Sequence, residues 1–293
     1  MTKEIGFIGL GVMGFHMASH LLKQKKTIHI IDRESLNTKK FIKRYRNTGL
    51  LKSYKNLYEL AKNVHLIVSC VGNDKDLKNV YLSKNGILAG IKPKTSIVDH
   101  TTASPEISKY LHKQFLKKRS FFFDAPMSGG EIGAKEGKLS LMVGGDKDKI
   151  SLISPTLQIY SKSLIYMGKS GNGQITKMVN QICVASVIQG LSEALFFAKK
   201  KQINIDKLIQ VLKNGAAQSW QLENRAKTMW NNEFNFGFMN KLMLKDLNLI
   251  FDEVSKEGKI NLTVTKLIKN KYKKLVKLGY EKEDTSNLIR LLK

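Results

Sequence analysis

The most apolar stretch of this chain carries a lysine near its start, and that lysine is the first candidate for chemistry. Lys177 is followed by Asn180, and the i, i+3 spacing would place both side chains on one face of a helix. An ammonium is costly to bury unless it faces a wet cleft or a partner. Partial burial favours the neutral amine, which a lysine needs to act as a general acid or base. A solvated lysine on the helix surface is the alternative that the spacing leaves open.

Two further segments have residue types that suit chemistry. Ser128–Gly130 directly follows an apolar run, and it offers a hydroxyl and backbone N–H groups with no side chain in the way. Such a segment suits a carboxylate or a phosphate, and a plain glycine turn is the alternative. Lys245 and Asp246 lie in a helix-like segment, where they form either an ordinary surface pair or a functional one.

The elements that must position these residues begin with a glycine fingerprint near the amino terminus. A strand-like run leads into Gly9-x-Gly11-x-x-Gly14, a helix-like segment follows, and a second apolar run ends at Asp32. This is the βαβ context that a dinucleotide fingerprint requires. Gly9 permits the tight turn, Gly11 lets the backbone approach the pyrophosphate, and Gly14 lets the helix pack on the strand. The pyrophosphate would lie at a helix N-terminus, where free N–H groups and the dipole favour an anion.

The residues after the second strand-like run predict the cofactor. Asp32 is expected to accept hydrogen bonds from the adenosine ribose and to repel a 2′-phosphate, which predicts NAD. Arg33 beside it could clamp a phosphate, which keeps NADP as the alternative. The residues of the fingerprint turn expected to contact the cofactor are Gly9, Leu10, Gly11, Val12, Met13 and Gly14.

Strand-like and helix-like segments alternate through the first half of the chain. The strand-like runs after the fingerprint are 64–70, 96–99, 121–124, 139–143 and 164–167. This alternation predicts a parallel sheet covered by helices. After residue 173 a long, mostly apolar segment, 174–200, predicts a buried helix, and the remainder is helix-like throughout. We therefore expect an α/β dinucleotide-binding domain over 1–167 and an all-α domain over 168–293.

The charge is the most unusual feature of the composition. The chain of 293 residues has a formal net charge of +26, and 44 of its 50 basic residues are lysines. They are spread along the chain with no arginine-rich arm, which disfavours a dedicated nucleic-acid site. No metal-ligand spacing is present, and Cys70 and Cys183 are expected to be buried free thiols. Because no leader is recognisable and no apolar run approaches the ~18 residues of a membrane span, we expect a cytoplasmic protein without membrane contact.

Four blocks of sequence together resemble the signatures of the β-hydroxyacid dehydrogenases, the 3-hydroxyisobutyrate dehydrogenase family. In chain order these blocks are 7–17, 124–130, 171–180 and 245–247. The resemblance covers essentially the whole chain. It implies a Rossmann domain followed by an all-helical substrate and dimerisation domain of the 6-phosphogluconate dehydrogenase C-terminal type. It also implies assembly as a homo-oligomer, either a dimer or a tetramer.

The same resemblance implies roles for the candidate residues. Lys177 looks like the catalytic acid–base lysine of the family. Ser128, Gly129 and Gly130 look like the cradle for the substrate carboxylate. Asn180 resembles the asparagine that orients the substrate near the lysine.

Further cofactor contacts are implied outside the fingerprint. Thr102 matches a threonine near the nicotinamide end, and Lys245 matches a lysine that closes the site from the helical domain. Val71, Gly72 and Asp76 lie where the family contacts the cofactor after the third strand-like run. Val71-Gly72 replaces the Leu-Pro that is frequent there, which predicts a differently shaped loop.

The activity implied by the resemblance is reversible hydride transfer between a nicotinamide cofactor and a small β-hydroxy acid such as 3-hydroxyisobutyrate. Lys177 would take the hydroxyl proton during oxidation and return it during reduction. A reductase of glyoxylate or a semialdehyde acid, within the same family, is the nearest alternative. An imine reductase and a non-enzymatic nucleotide-binding member are disfavoured, because both lack the catalytic lysine.

Overall fold

The computed structural model describes residues 3–31, 35–258 and 260–292. The chain divides into two compact units, Met1–Lys177 and Met178–Lys293. The first unit contains a sheet with helices and the second is helical, so the predicted fold class is confirmed. The predicted domain boundary between residues 167 and 168 stays a prediction.

A sheet of nine strands, counted over the described residues, forms the centre of the first unit. The strands are β1 (Glu4–Ile8), β2 (Thr27–Ile31), β3 (Leu51–Tyr54), β4 (Leu66–Ser69), β5 (Ser96–Asp99), β6 (Phe121–Asp124), β7 (Met127–Ser128), β8 (Leu139–Gly144) and β9 (Ser161–Gly168). Their order across the sheet is β3-β2-β1-β4-β5-β6-β8-β7, and β9 pairs with β8. Every run predicted as a strand overlaps an observed strand, whereas β3 and β7 are additional.

The six strands from β3 to β6 in sheet order are parallel, so their carboxyl ends meet at one edge. At that edge Ser69 pairs with Asp99, and Asp99 pairs with Asp124. In contrast, β8 runs antiparallel to β6 and β7, so the parallel run of strands that the alternation predicts ends at β6. The link from β7 to β8 is shorter than the dozen or so residues that a parallel crossover needs.

Helices cover the sheet and bury two apolar cores. They are α1 (Val12–Lys23), α2 (Leu36–Tyr45), α3 (Leu57–Lys62), α4 (Asp74–Leu82), α5 (Ile87–Gly90), α6 (Pro105–Lys117), α7 (Gly130–Glu136) and α8 (Ser154–Leu157). Phe7 belongs to one core and the next residue, Ile8, to the other, as expected from side chains that alternate along a strand. Four of these helices begin at a side chain that accepts an N–H of the first turn. These caps are Ser35, Asn56, Asn73 and Ser104.

The second unit is built around the long helix α9 (Asn172–Lys200), which begins in the first unit and continues into the second. The other helices are α10 (Ile205–Leu212), α11 (Trp220–Asn231), α12 (Asn240–Glu257) and α13 (Thr263–Lys277), followed by a 3-10 segment at Thr285–Leu292. Ile188 of α9 packs with Leu247 of α12 and Tyr272 of α13 in one apolar core.

Helix α9 corrects the expectation that nothing in the chain reaches the length of a membrane span. By length and composition, α9 is the one helix among the described residues that could cross a membrane, and 39% of its most apolar window is buried inside the protein. Core helices of globular proteins pass the same test. In α9, Gln174, Lys177 and Gln181 are buried and hydrogen-bonded to other parts of the protein.

The two cysteines are less buried than the sequence predicts. Cys183 is exposed and Cys70 is half-buried, and both are free thiols. Cys183 shares the exposed side of α9 with Val179 and Val187, whereas Ala185 faces the core. The prediction of burial was wrong for Cys183 because an apolar stretch of sequence does not imply burial of each residue in it. Val179 and Val187 belong to the same stretch and are also exposed.

Candidate active site

A cavity of about 660 Å³ opens at the carboxyl edge of the sheet, next to β1, β2 and β4. We call it the nucleotide cavity. It is lined by 7–11 in the fingerprint turn, by 31 and 35–38 around the start of α2, and by 71, 72, 76, 79 and 80 after β4. Six predicted cofactor residues therefore line one cavity: Gly9, Leu10, Gly11, Val71, Gly72 and Asp76.

The three fingerprint glycines occupy different environments. Gly9 has a φ of +93°, and a Cβ there would lie 2.1 Å from the carbonyl oxygen of Cys70. A Cβ on Gly14 would lie 1.9 Å from the carbonyl oxygen of Gly9, so helix α1 approaches the turn too closely for any side chain. A Cβ on Gly11 would meet nothing within 4 Å. The open space beside Gly11 fits a pyrophosphate at the N-terminus of α1.

The remaining cofactor predictions fall elsewhere. Val12 and Met13 belong to the first turn of α1 and, like Gly14, are not among the residues that line the nucleotide cavity. Asp32 and Arg33 lie outside the described residues. Their expected effect on cofactor choice therefore stays a prediction.

The loop after β4 is tied to the end of β5. The backbone N–H of Val71 donates to the Thr101 hydroxyl at 3.0 Å, and that hydroxyl donates to Asp99 Oδ1 at 2.7 Å. A Cβ on Gly72 would lie 2.5 Å from Asp76 Oδ2, so this carboxylate sits directly against the loop. Thr102, the predicted nicotinamide contact, follows in the half-buried link between β5 and α6.

The segment Ser128–Gly130 links β7 to α7 beside β8. Ser128 is half-buried and pairs with Ser140, whereas Gly129 and Gly130 are exposed and have φ values of +121° and +61°. These left-handed conformations favour glycine and leave the backbone accessible. The segment offers a hydroxyl and an uncovered backbone, as an anion cradle requires.

Lys177 is brought to this segment. Its side chain is buried, with 8% of the residue exposed, and Nζ donates to the carbonyl oxygen of Met127 at 2.8 Å. Met127 directly precedes Ser128. The amine is therefore held next to the predicted cradle by a neutral acceptor.

Two residues that sequence reasoning did not single out hold the start of α9. Asp124, at the end of β6, accepts from the backbone N–H groups of Gly171 at 2.7 Å and Gln174 at 3.1 Å. The Gln174 side chain donates to the carbonyl oxygen of Thr101 and accepts from the N–H of Ala103, at 2.8 Å and 3.1 Å. Two sequence signals could have identified these residues. One is a carboxylate at the end of a strand-like run, and the other is an amide one helical turn before Lys177 in an apolar stretch.

Burial governs the ionisation of the groups at this edge. It raises the pKa of Asp99 to about 7, although hydrogen bonds from Ser69 and Thr101 oppose the change. It also raises the pKa of Asp124, opposed by the bonds from Gly171 and Gln174.

The neighbouring histidine is neutral for the same reason. Burial lowers the pKa of His100 to about 4. Its Nδ1–H donates to the carbonyl oxygen of Ala125 at 2.6 Å, and Nε2 accepts from the Tyr160 hydroxyl at 2.9 Å. Both ring nitrogens are thus committed to structural bonds.

The other two predicted site residues lie in the second unit, where a chain of contacts links them. Asn180 donates to Gln181 Oε1 at 2.8 Å, and Gln181 donates to Asp246 Oδ2 at 2.7 Å. Lys245 Nζ lies 3.1 Å from Asp246 Oδ1. Gln181 and Asp246 are buried, with 3% and 2% exposed, so they fix their more accessible neighbours.

Known proteins match this chain over nearly its whole length. Residues 4–168 match the family described as the NAD binding domain of 6-phosphogluconate dehydrogenase. Residues 171–292 match the family described as NAD-binding of NADP-dependent 3-hydroxyisobutyrate dehydrogenase. Among the described residues, no group of three or more His, Cys, Asp or Glu side chains could hold a metal ion.

Individual relatives agree with these matches. An oxidoreductase of Shewanella frigidimarina is 39% identical over 99% of this chain and 98% of its own length. The 2-hydroxy-3-oxopropionate reductase of Escherichia coli is 33% identical over 99% of this chain and 97% of its own. The solved structure of Mycobacterium tuberculosis 3-hydroxyisobutyrate dehydrogenase with L-serine shares the fold, with a TM-score of 0.88 at 24% identity over 100% of both chains.

The fold, the nucleotide cavity and these matches define an oxidoreductase that uses NAD(P) and acts on a CH–OH group. The chain belongs to the β-hydroxyacid dehydrogenase family, whose members include the 3-hydroxyisobutyrate dehydrogenases. The predicted family, fold class and nicotinamide cofactor are confirmed.

Proposed function

We propose that the chain oxidises a small β-hydroxy acid such as 3-hydroxyisobutyrate, and reduces the product in reverse, with Lys177 as the acid–base group. The observation that carries this proposal is the 2.8 Å bond from Lys177 Nζ to the carbonyl oxygen of Met127. It holds a buried amine beside Ser128–Gly130, whose hydroxyl and exposed backbone suit a carboxylate. A substrate that carries a carboxylate and a nearby hydroxyl matches this pair.

Each part of the site then has a separate task. The nucleotide cavity, with open space beside Gly11, holds the dinucleotide, which supplies the hydride acceptor or donor when it is bound. Ser128–Gly130 bind the substrate carboxylate and fix the position of the hydroxyl carbon. Lys177 takes the hydroxyl proton during oxidation and returns it during reduction, a contribution of typically ~10²–10⁴-fold. Positioning of the substrate supplies the remainder.

Residues on the second unit complete the proposal. Asn180 orients the substrate, and Lys245 contacts the cofactor or closes the site. The chain of contacts through Gln181 and Asp246 supports these roles, because it restrains both side chains. Thr102 lies at the nicotinamide end of the bound cofactor.

For the cofactor, we propose a preference for NAD over NADP. The basis is Asp32, whose carboxylate would repel a 2′-phosphate, opposed by Arg33 beside it. The test compares kcat/KM for the two cofactors at saturating acid. A preference for NADP of about tenfold, roughly 1.4 kcal/mol, would contradict the assignment.

A second candidate is the reduction of an aldehyde acid such as glyoxylate or a semialdehyde. The similarity to the E. coli 2-hydroxy-3-oxopropionate reductase, at 33% identity over 99% of this chain, supports it. Both candidates use the same carboxylate cradle and the same lysine. They differ in the substrate that gives the highest kcat/KM.

The experiment that tests the proposal is a turnover assay across small β-hydroxy acids, their 3-oxo products and short aldehyde acids, with both cofactors. Each acid is paired with its amide or methyl ester. The proposal expects turnover of the β-hydroxy acids and a large rise in KM for the uncharged analogues. Turnover that is indifferent to the carboxylate would contradict the cradle, and a highest kcat/KM for an aldehyde acid would favour the second candidate.

We also propose a cytoplasmic homo-oligomer. Exposed apolar side chains on one face of α9, at Val179, Val187 and Phe197, support self-association, because such faces are commonly covered by a partner. Sedimentation velocity at several concentrations tests the assembly. A monomer at all concentrations would contradict it.

A further inference from the structure

Asp124 links the sheet to the helix that carries Lys177. The residue is fully buried at the end of β6. Its Oδ1 accepts from Gly171 N at 2.7 Å and from the Ser170 hydroxyl at 3.2 Å, and its Oδ2 accepts from Gln174 N at 3.1 Å. Backbone N–H groups in the first turn of a helix have no partner within the helix. Gln174 lies in the first turn of α9, and Asp124, 50 residues earlier in the chain, supplies the partner of its N–H group.

The helix start is also pressed directly against the sheet. A Cβ on Gly173 would lie 2.4 Å from the carbonyl oxygen of Met142 and 2.7 Å from Asp124 Oδ2. A Cβ on Gly144 would lie 2.8 Å from both Asp124 carboxylate oxygens. The carboxylate therefore has backbone on two sides and little freedom to move. We call Asp124, Ser170, Gly171 and Gln174 the α9 seat.

Lys177 lies one helical turn after Gln174. The α9 seat therefore fixes the position of the backbone from which the Lys177 side chain extends. Nζ reaches the carbonyl oxygen of Met127, and Met127 lies three residues after Asp124 in the same chain segment. The carboxylate thus holds the helix to the very segment that carries the cradle. A shift of the first turn by a fraction of an ångström would move the amine relative to Ser128–Gly130.

We infer that Asp124 is a positioning residue for proton transfer, which acts on Lys177 through the first turn of α9. This inference rests on the proposed function, in which Lys177 is the acid–base group. A negative charge is required because all three donors point at it, and hydrogen bonds to a charged acceptor are shorter and stronger than neutral ones. An amide at the same place would turn an N–H group towards one of these donors.

The test is a double-mutant cycle with Asp124→Asn and Lys177→Ala. With Lys177 present, Asp124→Asn is expected to lower kcat at least about tenfold. In the Lys177→Ala background, the same change is expected to alter kcat by less than about twofold, because the group that Asp124 positions is already gone. Equal fold losses in both backgrounds would overturn the inference. A Lys177→Ala enzyme with near-normal kcat would instead contradict the proposed function.

A readout independent of turnover follows the helix start itself. Hydrogen exchange of the peptide that spans 168–180 is expected to be faster in Asp124→Asn, since the N–H group of either Gly171 or Gln174 loses its acceptor. Exchange in β1 and the cofactor dissociation constant are expected to remain as in the wild type. Unchanged exchange in 168–180 would overturn the inference.

Two more variants separate positioning from general stability. Asn204→Ala removes the cap of α10, where Oδ1 accepts from Lys207 N at 3.0 Å, and is expected to lower stability without changing kcat. Ser170→Ala removes one donor from the carboxylate with little risk to folding. It is expected to lower kcat about threefold, and only when Lys177 is present. Should Asp124→Asn fail to fold, an unchanged kcat in Ser170→Ala would overturn the inference.

Discussion

The carboxyl edge of the sheet has two halves that are built by different means. Beside β1, β2 and β4, the nucleotide cavity is shaped by backbone turns at Gly9, Gly11 and the loop after β4. Beside β5 and β6, the edge is made of buried polar side chains, with Asp124 and Gln174 bonded to backbone groups far along the chain. The first half contains open space, whereas the second half is filled by buried side chains.

This difference matches two tasks. A pyrophosphate is bound by close approach to N–H groups, which requires that side chains be absent. A proton-transfer group must be held at one place, which requires a bonded framework around it. Substitutions in the two halves are therefore expected to affect different measurable quantities.

The largest effect is expected from Lys177→Ala, in the polar half. It should lower kcat by ~10²-fold or more, because the lost interaction belongs to the transition state. Lys177→Arg should not restore the rate, since a guanidinium does not give up its proton in this pH range. Steady-state kinetics of the two variants measure both effects. A near-normal kcat in the alanine variant would move the acid–base role to another group, with Lys245 the next candidate.

In the nucleotide half, Gly11→Val is expected to weaken cofactor binding by more than about tenfold, because its side chain would enter the space where a pyrophosphate lies. Stability should change little, since a Cβ there meets nothing within 4 Å in the free protein. Gly14→Ala is the matched contrast, because its Cβ would lie 1.9 Å from the Gly9 carbonyl oxygen and should destabilise the fold. Fluorescence quenching and thermal unfolding measure the two effects. Equal stability losses in both variants would contradict the distinction.

A smaller effect, again in the polar half, is expected from Ser128→Ala. Loss of one hydrogen bond to a carboxylate, worth about 1.5 kcal/mol, should raise KM for the acid about tenfold. KM for the cofactor should stay as it is, and the uncharged ester substrate should show no comparable change. Were only the cofactor KM to rise, Ser128–Gly130 would belong to the nucleotide site.

A fourth effect concerns stability rather than turnover and comes from Asp99, at the end of β5 in the polar half. Burial raises the pKa of Asp99 from 3.8 to about 7, so the folded protein holds this proton more tightly than the unfolded chain. The stabilisation is present below about pH 4 and is lost as the pH rises to about 7. Relative to Asp99→Asn, the wild type should therefore lose at most about 4 kcal/mol of unfolding free energy over this range.

Urea unfolding of both proteins between about pH 4 and pH 8 measures this difference. The pKa of His100, lowered to about 4 by burial, changes stability in the opposite direction over part of the range. His100 has this effect in both proteins, so its contribution cancels in the difference between their unfolding free energies. A difference that does not vary with pH would contradict the raised pKa.

The two halves also differ in how well the sequence predicted them. The Gly9–Gly14 turn is a local pattern, and residue types over a few positions define both its conformation and the helix after it. The long helix was likewise predicted from composition alone, within two residues of its start at Asn172. Local information was sufficient for these elements.

The polar half could not be predicted in the same way. Asp124 bonds to N–H groups 47 and 50 residues away, and Gln174 bonds to Thr101 across 73 residues. No pattern within one segment encodes such contacts. β3 was missed because its four residues are half-buried or exposed throughout, without the apolar run that marks the central strands. For Lys177, spacing placed the residue on a helix, but only the tertiary structure brings it to Met127.

The most direct test of the difference between the two halves of the edge compares the wild type, Gly11→Val and Lys177→Ala. It measures kcat at saturating cofactor and the cofactor dissociation constant of each protein. We predict that Gly11→Val weakens cofactor binding but leaves kcat within about twofold, and that Lys177→Ala lowers kcat but leaves cofactor binding nearly unchanged. A loss of cofactor binding in Lys177→Ala, or an equal loss of kcat in both variants, would contradict this prediction.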